Sequence, residues 1–127
     1  MAKTYDIEQA RSETLEYFGG DELATSVFLN KYALQDKDGN YLESNPDMMH
    51  RRISKEMARI EAKYPNPLTE EEIYDLFKDF KYVVPQGSPM SGIGNKYQIG
   101  VRRFNINWIG IYSLYIKETL RFLSVFG

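Results

Sequence analysis

The chain has 127 residues, the length of one modest domain, so it can bury one hydrophobic core but not two. Its 16 basic and 18 acidic residues give a net charge of −2, which argues against nucleic acid as a partner. No cysteine is present, so disulfides, thiolate metal sites and thiol chemistry are excluded within these residues.

Neither end of the chain has the composition of a targeting or membrane segment. Residues 1–20 are polar and acidic, whereas a secretory signal needs a basic flank and an apolar stretch. The longest apolar region, residues 106–116, is interrupted by Asn107, Gly110 and Ser113 and is too short to cross a bilayer as a helix. We therefore expect a cytoplasmic protein that has no membrane partner.

Two helices are predicted at the start of the chain. Asp6 and Gln9 resemble a capping box, and Gly19 with Gly20 supplies a stop, which predicts a helix from residue 7 to about residue 18. Its inward face would hold Ile7, Ala10, Thr14, Leu15 and Phe18. Asp21 is a suitable N-cap for a second helix, which should form an antiparallel hairpin with the first. The residues predicted to face inward on this helix are Leu23, Val27, Phe28 and Tyr32.

A third helix is predicted to start at Ser44 or Asn45, with Pro46 in its first turn, and to end at about residue 63. Its apolar residues repeat at helical spacing and are Met49, Ile53, Met57 and Ile60. Thr69 and Glu72 form a capping box for a fourth helix. The apolar face of that helix comprises Ile73, Leu76, Phe77 and Phe80.

The region after the fourth helix is predicted to be irregular. An extended stretch at residues 82–84 leads into a segment whose prolines and glycines should forbid regular structure: Pro85, Gly87, Pro89, Gly92 and Gly94. Residues 97–116 then have strand propensity and residues 117–126 could form a helix. The sequence thus predicts a mainly α, single small helical domain of about four helices, a Gly/Pro loop, and a C-terminal tail of β-hairpin or helical structure.

Three blocks of this sequence carry a family resemblance: "YFGGDELATSVFLNKYAL", "PDMMHRRISKEMARIEAKYPNP" and "DFKYVVPQGSPMSGIGN". In order and spacing they resemble the N-terminal segment of a ribonucleotide reductase catalytic (large) subunit, and they are most similar to the adenosylcobalamin-dependent type. The likeness implies that residues 1–99 are a helical region that leads into an α/β barrel in the complete enzyme. It also implies a role in deoxyribonucleotide synthesis, with the remainder of the subunit as partner.

In that family the Ser-Pro loop lies at the phosphate end of the substrate. The resemblance implies that the Ser88 hydroxyl and nearby N–H groups face a nucleotide phosphate, while glycines let the main chain come close. The candidates for substrate-side contact are Ser88, Gly87 and Ser91. Without the resemblance, the same composition is typical of a plain connecting turn.

The likeness stops near residue 100. The family continues there with a barrel strand that carries a redox cysteine, whereas this chain reads "GVRRFNINWIGIYSLYIKETLRFLSVFG". Net charge also changes, from −5 over residues 1–96 to +3 over residues 97–127. We interpret residues 100–127 as a hydrophobic tail foreign to the family, produced by an interrupted exon, intron read-through or a frameshift.

The missing cysteines predict that the chain is not catalytic by itself, because the family's radical and dithiol chemistry needs sulfur. We expect no catalytic residue, metal ligand or cofactor in this segment; adenosylcobalamin or another radical generator would serve the full-length enzyme. One alternative is a stand-alone helical module that associates with a separately encoded reductase remainder. A calcium-binding helical module is a weaker alternative, since Asp36, Asp38, Asn40 and Asp47 match EF-hand positions while Tyr41 replaces the required glycine.

Three further groups of residues have structural interpretations. His50 has no second histidine or cysteine near it and is predicted to be a solvated surface residue. The basic residues of the third helix are predicted to form a salt-bridged face with interleaved glutamates, with anion binding as the alternative, and are Arg51, Arg52, Lys55 and Arg59. Met48, Met49 and Met57 are predicted to fill the core, with a partner groove as the alternative.

Overall fold

A computed structural model describes residues 3–85 and 87–96, and these residues form a mainly helical domain, as predicted. The helices in them are α1 (Ile7–Tyr17), α2 (Glu22–Lys31), α3 (Pro46–Glu61), α4 (Glu70–Phe77) and α5 (Gly87–Gly92), with a 3-10 turn at Lys78–Phe80. None of the helices in this described part is long and apolar enough to cross a membrane. The strand and helix predicted for residues 97–126 lie outside the described residues.

The first three helices begin at predicted N-cap side chains. The Asp6 carboxylate accepts a hydrogen bond from the N–H three residues later (2.7 Å), and Asp21 does the same (2.9 Å). Asn45, and not Ser44, caps α3 through its side-chain oxygen (3.1 Å). These bonds satisfy N–H groups that have no partner within the helix, which is why the helices start where they do.

The predicted capping box of α4 is confirmed. The Glu72 N–H donates to Thr69 Oγ1 (3.2 Å), and the Thr69 N–H donates to Glu72 Oε2 (2.8 Å). These hydrogen bonds from Thr69 hold the pKa of the Glu72 carboxyl below its usual value.

Thr69→Ala is expected to lower the free energy of unfolding by about 1 kcal/mol, because α4 loses the side-chain acceptor at its first turn. Urea unfolding of the variant measures this change. Ser26→Ala is the matched control, since Ser26 lies on the exposed face of α2 and its removal should change stability by less than about 0.5 kcal/mol. Equal unfolding midpoints for Thr69→Ala and the wild-type chain would show that the cap does not stabilise α4.

The hydrophobic core lies where α3 and α4 pack together, with α1 and α2 packed against each other beside it. Met49, Ile53 and Met57 of α3 are at most 2% exposed, so two of the three methionines predicted to fill the core do so, while Met48 is half-buried. The remaining buried apolar residues include Ala10, Phe28, Leu29, Ile73, Leu76, Phe77, Met90 and Ile93.

A pair of buried hydroxyl groups joins α1 to the start of α3. Thr14 Oγ1 donates to the Ser44 carbonyl oxygen (2.8 Å), and the Ser44 hydroxyl donates to the Glu13 carboxylate. This bond from Ser44 holds the pKa of Glu13 below its usual value. Both hydroxyls therefore have the partners that buried polar groups require.

Two residues predicted to face inward are exposed instead. Leu23 is 75% exposed and Ile7 is 64% exposed. In α2 the buried face holds Thr25, Phe28 and Leu29, and Leu23 lies about 200° around the helix axis from Thr25. Ile7 occupies the first position of α1, beyond the buried pair at positions 10 and 14.

Candidate functional site

The predicted Gly/Pro loop contains a helix, so the expectation that its residues forbid regular structure is wrong. α5 spans Gly87–Gly92 and includes Pro89, which stands in the first turn, where a missing N–H leaves no helical bond unmade. Met90 and Ile93 are 9% and 4% exposed and belong to the core. Burial of these two side chains against the other helices supplies the stability that a six-residue helix lacks alone.

All three predicted substrate-side residues lie on α5. The Ser91 hydroxyl donates to the Gly87 carbonyl oxygen one turn earlier (3.2 Å). A side chain at Gly87 would contact the ring of Tyr32 at 3.5 Å, so the backbone there lies close to the residue that follows α2. The structure thus brings Gly87, Ser88 and Ser91 together on one short helix.

The guanidinium of Arg52 connects α3 to the C-terminal end of α5. Its Nη2 donates to the Met90 carbonyl oxygen (2.7 Å), and its Nη1 donates to the Ile93 carbonyl oxygen. Asn95 Nδ2 donates to the Ser91 carbonyl oxygen (3.1 Å). Of the last carbonyl groups of α5, that of Met90 accepts from Arg52, while those of Ser91 and Gly92 accept from Asn95. Arg52 also binds the Ile93 carbonyl oxygen, just beyond the helix.

A buried carboxylate orients Arg52. Glu43 accepts from Arg52 Nε at 2.5 Å and from Nη2 at 3.3 Å, and the two side chains are 4% and 10% exposed. Glu43 Oε2 also accepts from the Leu34 N–H (3.0 Å). One ion pair thus connects three parts of the chain: the segment before α3, α3 itself, and α5.

The basic face predicted on α3 is confirmed only in part. Arg51 pairs with Glu71 (2.7 Å) and Arg59 pairs with Glu56 (2.6 Å), and both pairs are largely exposed. Arg52 leaves this face and enters the interior. Its position three residues after Met49 and one before Ile53, at the edge of the apolar stripe, is the sequence signal that could have identified it.

His50 is fully buried, so the prediction of a solvated surface histidine is wrong. Its ring makes an edge contact with Phe80 (centroids 4.6 Å apart) and lies parallel to Phe77 (6.5 Å). Neither ring nitrogen has a hydrogen-bond partner among the residues that the structure describes. Burial lowers the pKa of His50 to about 4, and the opposing effects of Asp47 and Asp79 are smaller.

Each of the two acidic residues near His50 accepts a hydrogen bond from a different tyrosine. The Tyr17 hydroxyl donates to Asp79 (3.3 Å), and the Tyr74 hydroxyl donates to Asp47. Burial raises the pKa of both phenols, that of Tyr74 to about 12, with the bond to Asp47 adding to the effect. At neutral pH both tyrosines are hydrogen-bond donors and neither is a base.

The turn that resembles a calcium loop uses its first carboxylate internally. Asp36 Oδ1 accepts from the N–H groups of Asp38 (2.8 Å) and Asn40 (3.0 Å), and Oδ2 accepts from Asn40 Nδ2 (3.0 Å). These bonds hold the pKa of the Asp36 carboxyl below its usual value, and the bond from the Asn40 side chain has the largest effect. Within residues 3–85 and 87–96, no three His, Cys, Asp or Glu side chains are grouped to hold a metal ion. We therefore interpret residues 36–40 as an Asp-Gly turn.

Comparison with known families matches residues 18–96 to the model described as "Ribonucleotide reductase, all-alpha domain". The matched region contains α2 to α5, both residues of the buried ion pair and His50. No curated protein and no solved structure gives a significant match to the chain.

Proposed function

Because this chain belongs to the ribonucleotide reductase all-alpha domain family, we propose that it serves deoxyribonucleotide synthesis in the cytoplasm as a part of the reductase's catalytic subunit. The observation that carries the proposal is the family match, which spans residues 18–96 and so includes α2 to α5 with the buried core between them. We propose an adenosylcobalamin-dependent parent enzyme, because the three sequence blocks resemble that type.

The proposed role is a non-catalytic one. Removal of a ribose hydroxyl needs a radical that abstracts a hydrogen atom and a pair of thiols that supplies electrons, and in this family both come from cysteine sulfur. These 127 residues contain no cysteine. We assign the radical, its generator and the reducing thiols to the remainder of the catalytic subunit, which is the proposed partner of this chain.

On the substrate side we propose that Ser88, Gly87 and Ser91 face the phosphate of the nucleotide. The Ser91 hydroxyl donates its one hydrogen to the Gly87 carbonyl oxygen, and we propose that it turns to a phosphate oxygen, a stronger, charged acceptor, when the nucleotide binds.

The proposed partner surface lies next to α5. Tyr82 and Val84 are 55% and 61% exposed and come directly before Pro85, which is buried. Exposed apolar side chains beside a candidate ligand segment are suited to contact with the rest of the enzyme. This proposal also includes the case in which the remainder is a separately encoded polypeptide.

Mixing the chain with a catalytic subunit that lacks its corresponding N-terminal segment tests the proposal. We expect the mixture to convert ribonucleotides to deoxyribonucleotides and the chain alone to have no activity. Ser88→Ala should raise the KM for the nucleotide in the mixture, whereas Ser12→Ala, on the exposed face of α1, should not. Failure of the wild-type chain to restore activity would refute the proposed role, and activity of the chain alone would refute the non-catalytic assignment.

A further inference from the structure

We propose that Arg52, oriented by Glu43, is a positioning residue that sets the backbone of α5 for recognition of the nucleotide phosphate. The guanidinium binds the carbonyl oxygens of Met90 and Ile93, which are 38 and 41 residues away along the chain. The inference rests on the proposed function, since it concerns the segment assigned to the phosphate, but the contacts themselves are independent of it.

The geometry of arginine is needed for this role. One planar fork donates to a carboxylate on one side and to two carbonyl oxygens on the other. A lysine in the same place keeps the positive charge near Glu43 but has a single nitrogen, which cannot reach all three acceptors in this arrangement. The interaction therefore specifies a position for α5 as well as neutralising a buried charge.

Gly94 supplies a second, independent observation. Its φ is +74°, a conformation that side chains disfavour, and a Cβ atom at this position would lie 2.9 Å from Arg52 Cγ and 3.5 Å from the Arg52 carbonyl oxygen. The chain leaving α5 thus lies directly against the stem of Arg52. A side chain at Gly94 would displace the Arg52 stem or the backbone. The positions of residues 90–94 and of Arg52 therefore depend on each other.

The hydrogen bonds from Arg52 lie at the opposite end of α5 from Gly87. Met90 follows the Ser88–Pro89 pair directly, and Ser91 is joined to Gly87 by its own hydroxyl. Met90 shares the six-residue helix α5 with Gly87, Ser88 and Ser91, so a shift of its carbonyl group would displace the proposed phosphate-facing residues as well. The ligand class assigned to this arrangement is a nucleotide phosphate.

Hydrogen exchange of the full chain measured by NMR tests the structural step. Arg52→Lys is expected to speed exchange of the Ile93 and Asn95 amides, which donate to Pro89 and Gly92, by about tenfold, with little change in the amides of α3 and α4. Arg59→Lys, in the exposed pair on the same helix, should leave all amides unchanged. Ile53→Val is a mild core defect. It should speed exchange equally for all amides that exchange by global unfolding, with no specific effect on α5.

Kinetics of the reconstituted mixture test the functional step. Arg52→Lys and Gly94→Ala should each raise the KM for the nucleotide by about tenfold while kcat changes less, because binding and not chemistry is affected. Unchanged exchange at Ile93 and Asn95, or an unchanged KM in a mixture that is active with the wild-type chain, would overturn the inference. An inactive wild-type mixture would instead overturn the proposed function, and the exchange data alone would then show whether Arg52 positions α5.

Discussion

Replacement of Arg52 by methionine is expected to lower the free energy of unfolding by about 3–5 kcal/mol, the usual cost of removing one partner of a buried ion pair. The Glu43 carboxylate, which is only 4% exposed, would lose its counterion. The carbonyl oxygens of Met90 and Ile93 would lose their donors at the same time. Urea unfolding followed by far-UV circular dichroism measures the change, read as a shift in midpoint at constant slope.

Two variants show whether burial of the Glu43–Arg52 pair causes the loss of stability expected for Arg52→Met. Arg59→Met removes an exposed arginine from the same helix and should cost less than about 1 kcal/mol. The double variant Glu43→Leu/Arg52→Met leaves neither charge buried alone, so its cost should be smaller than the sum of the single costs. The double variant should still be less stable than the wild-type chain, because the Leu34 N–H loses its acceptor on Glu43. Equal costs for Arg52→Met and Arg59→Met would contradict this account of the ion pair.

Acidification from pH 6.5 to about 4 is expected to remove about 3 kcal/mol of stability through His50. The imidazole titrates near pH 6.5 in the unfolded chain, whereas burial lowers its pKa to about 4 in the folded chain. Above pH 6.5 the ring is neutral in both states, so the full stability is present. Between these two values the unfolded state binds a proton that the folded state does not, and stability falls by about 1.4 kcal/mol per pH unit. Below pH 4 both states are protonated and His50 causes no further loss.

His50→Leu isolates this contribution from that of the carboxylates, which titrate over part of the same range. The variant keeps an apolar side chain against Phe77 and Phe80, and its stability should depend less on pH between 6.5 and 4. The chain contains one histidine, so NMR titration of the imidazole reports this residue without assignment ambiguity. A measured pKa near 6.5, or identical pH dependence of the two proteins, would rule out burial of a neutral ring.

The burial of His50 follows from its position in the sequence, although its residue type predicts a surface location. The buried positions of α3 include 46, 49, 50, 53, 54, 57 and 61, which is one continuous helical stripe. His50, Ser54 and Glu61 are its polar members. Helical spacing thus predicts burial of His50, whereas histidine as a residue type favours the surface, and in this helix the position decides.

The α5 helix was not predictable from the sequence in the same way. The six residues "GSPMSG" include two glycines and one proline, the two residue types that most often break helices, and so have no local reason to be helical. The helix forms because Met90 and Ile93 are buried and because Arg52 binds the carbonyl oxygens of Met90, inside the helix, and of Ile93, just after it. The family resemblance located the segment and its three candidate residues, but it did not provide their conformation.

The sequence by itself determined the family, the mainly helical class and the starts of α1 to α4. These depend on side chains that bond to backbone within three residues and on apolar residues three or four apart, so the interactions are local and can be read along the chain. Only the tertiary structure decided the burial of the Glu43–Arg52 pair and the shape of the segment that it holds. Those interactions join residues up to 41 positions apart, and their energy comes from removal of charge and apolar surface from water, which happens only when the helices pack.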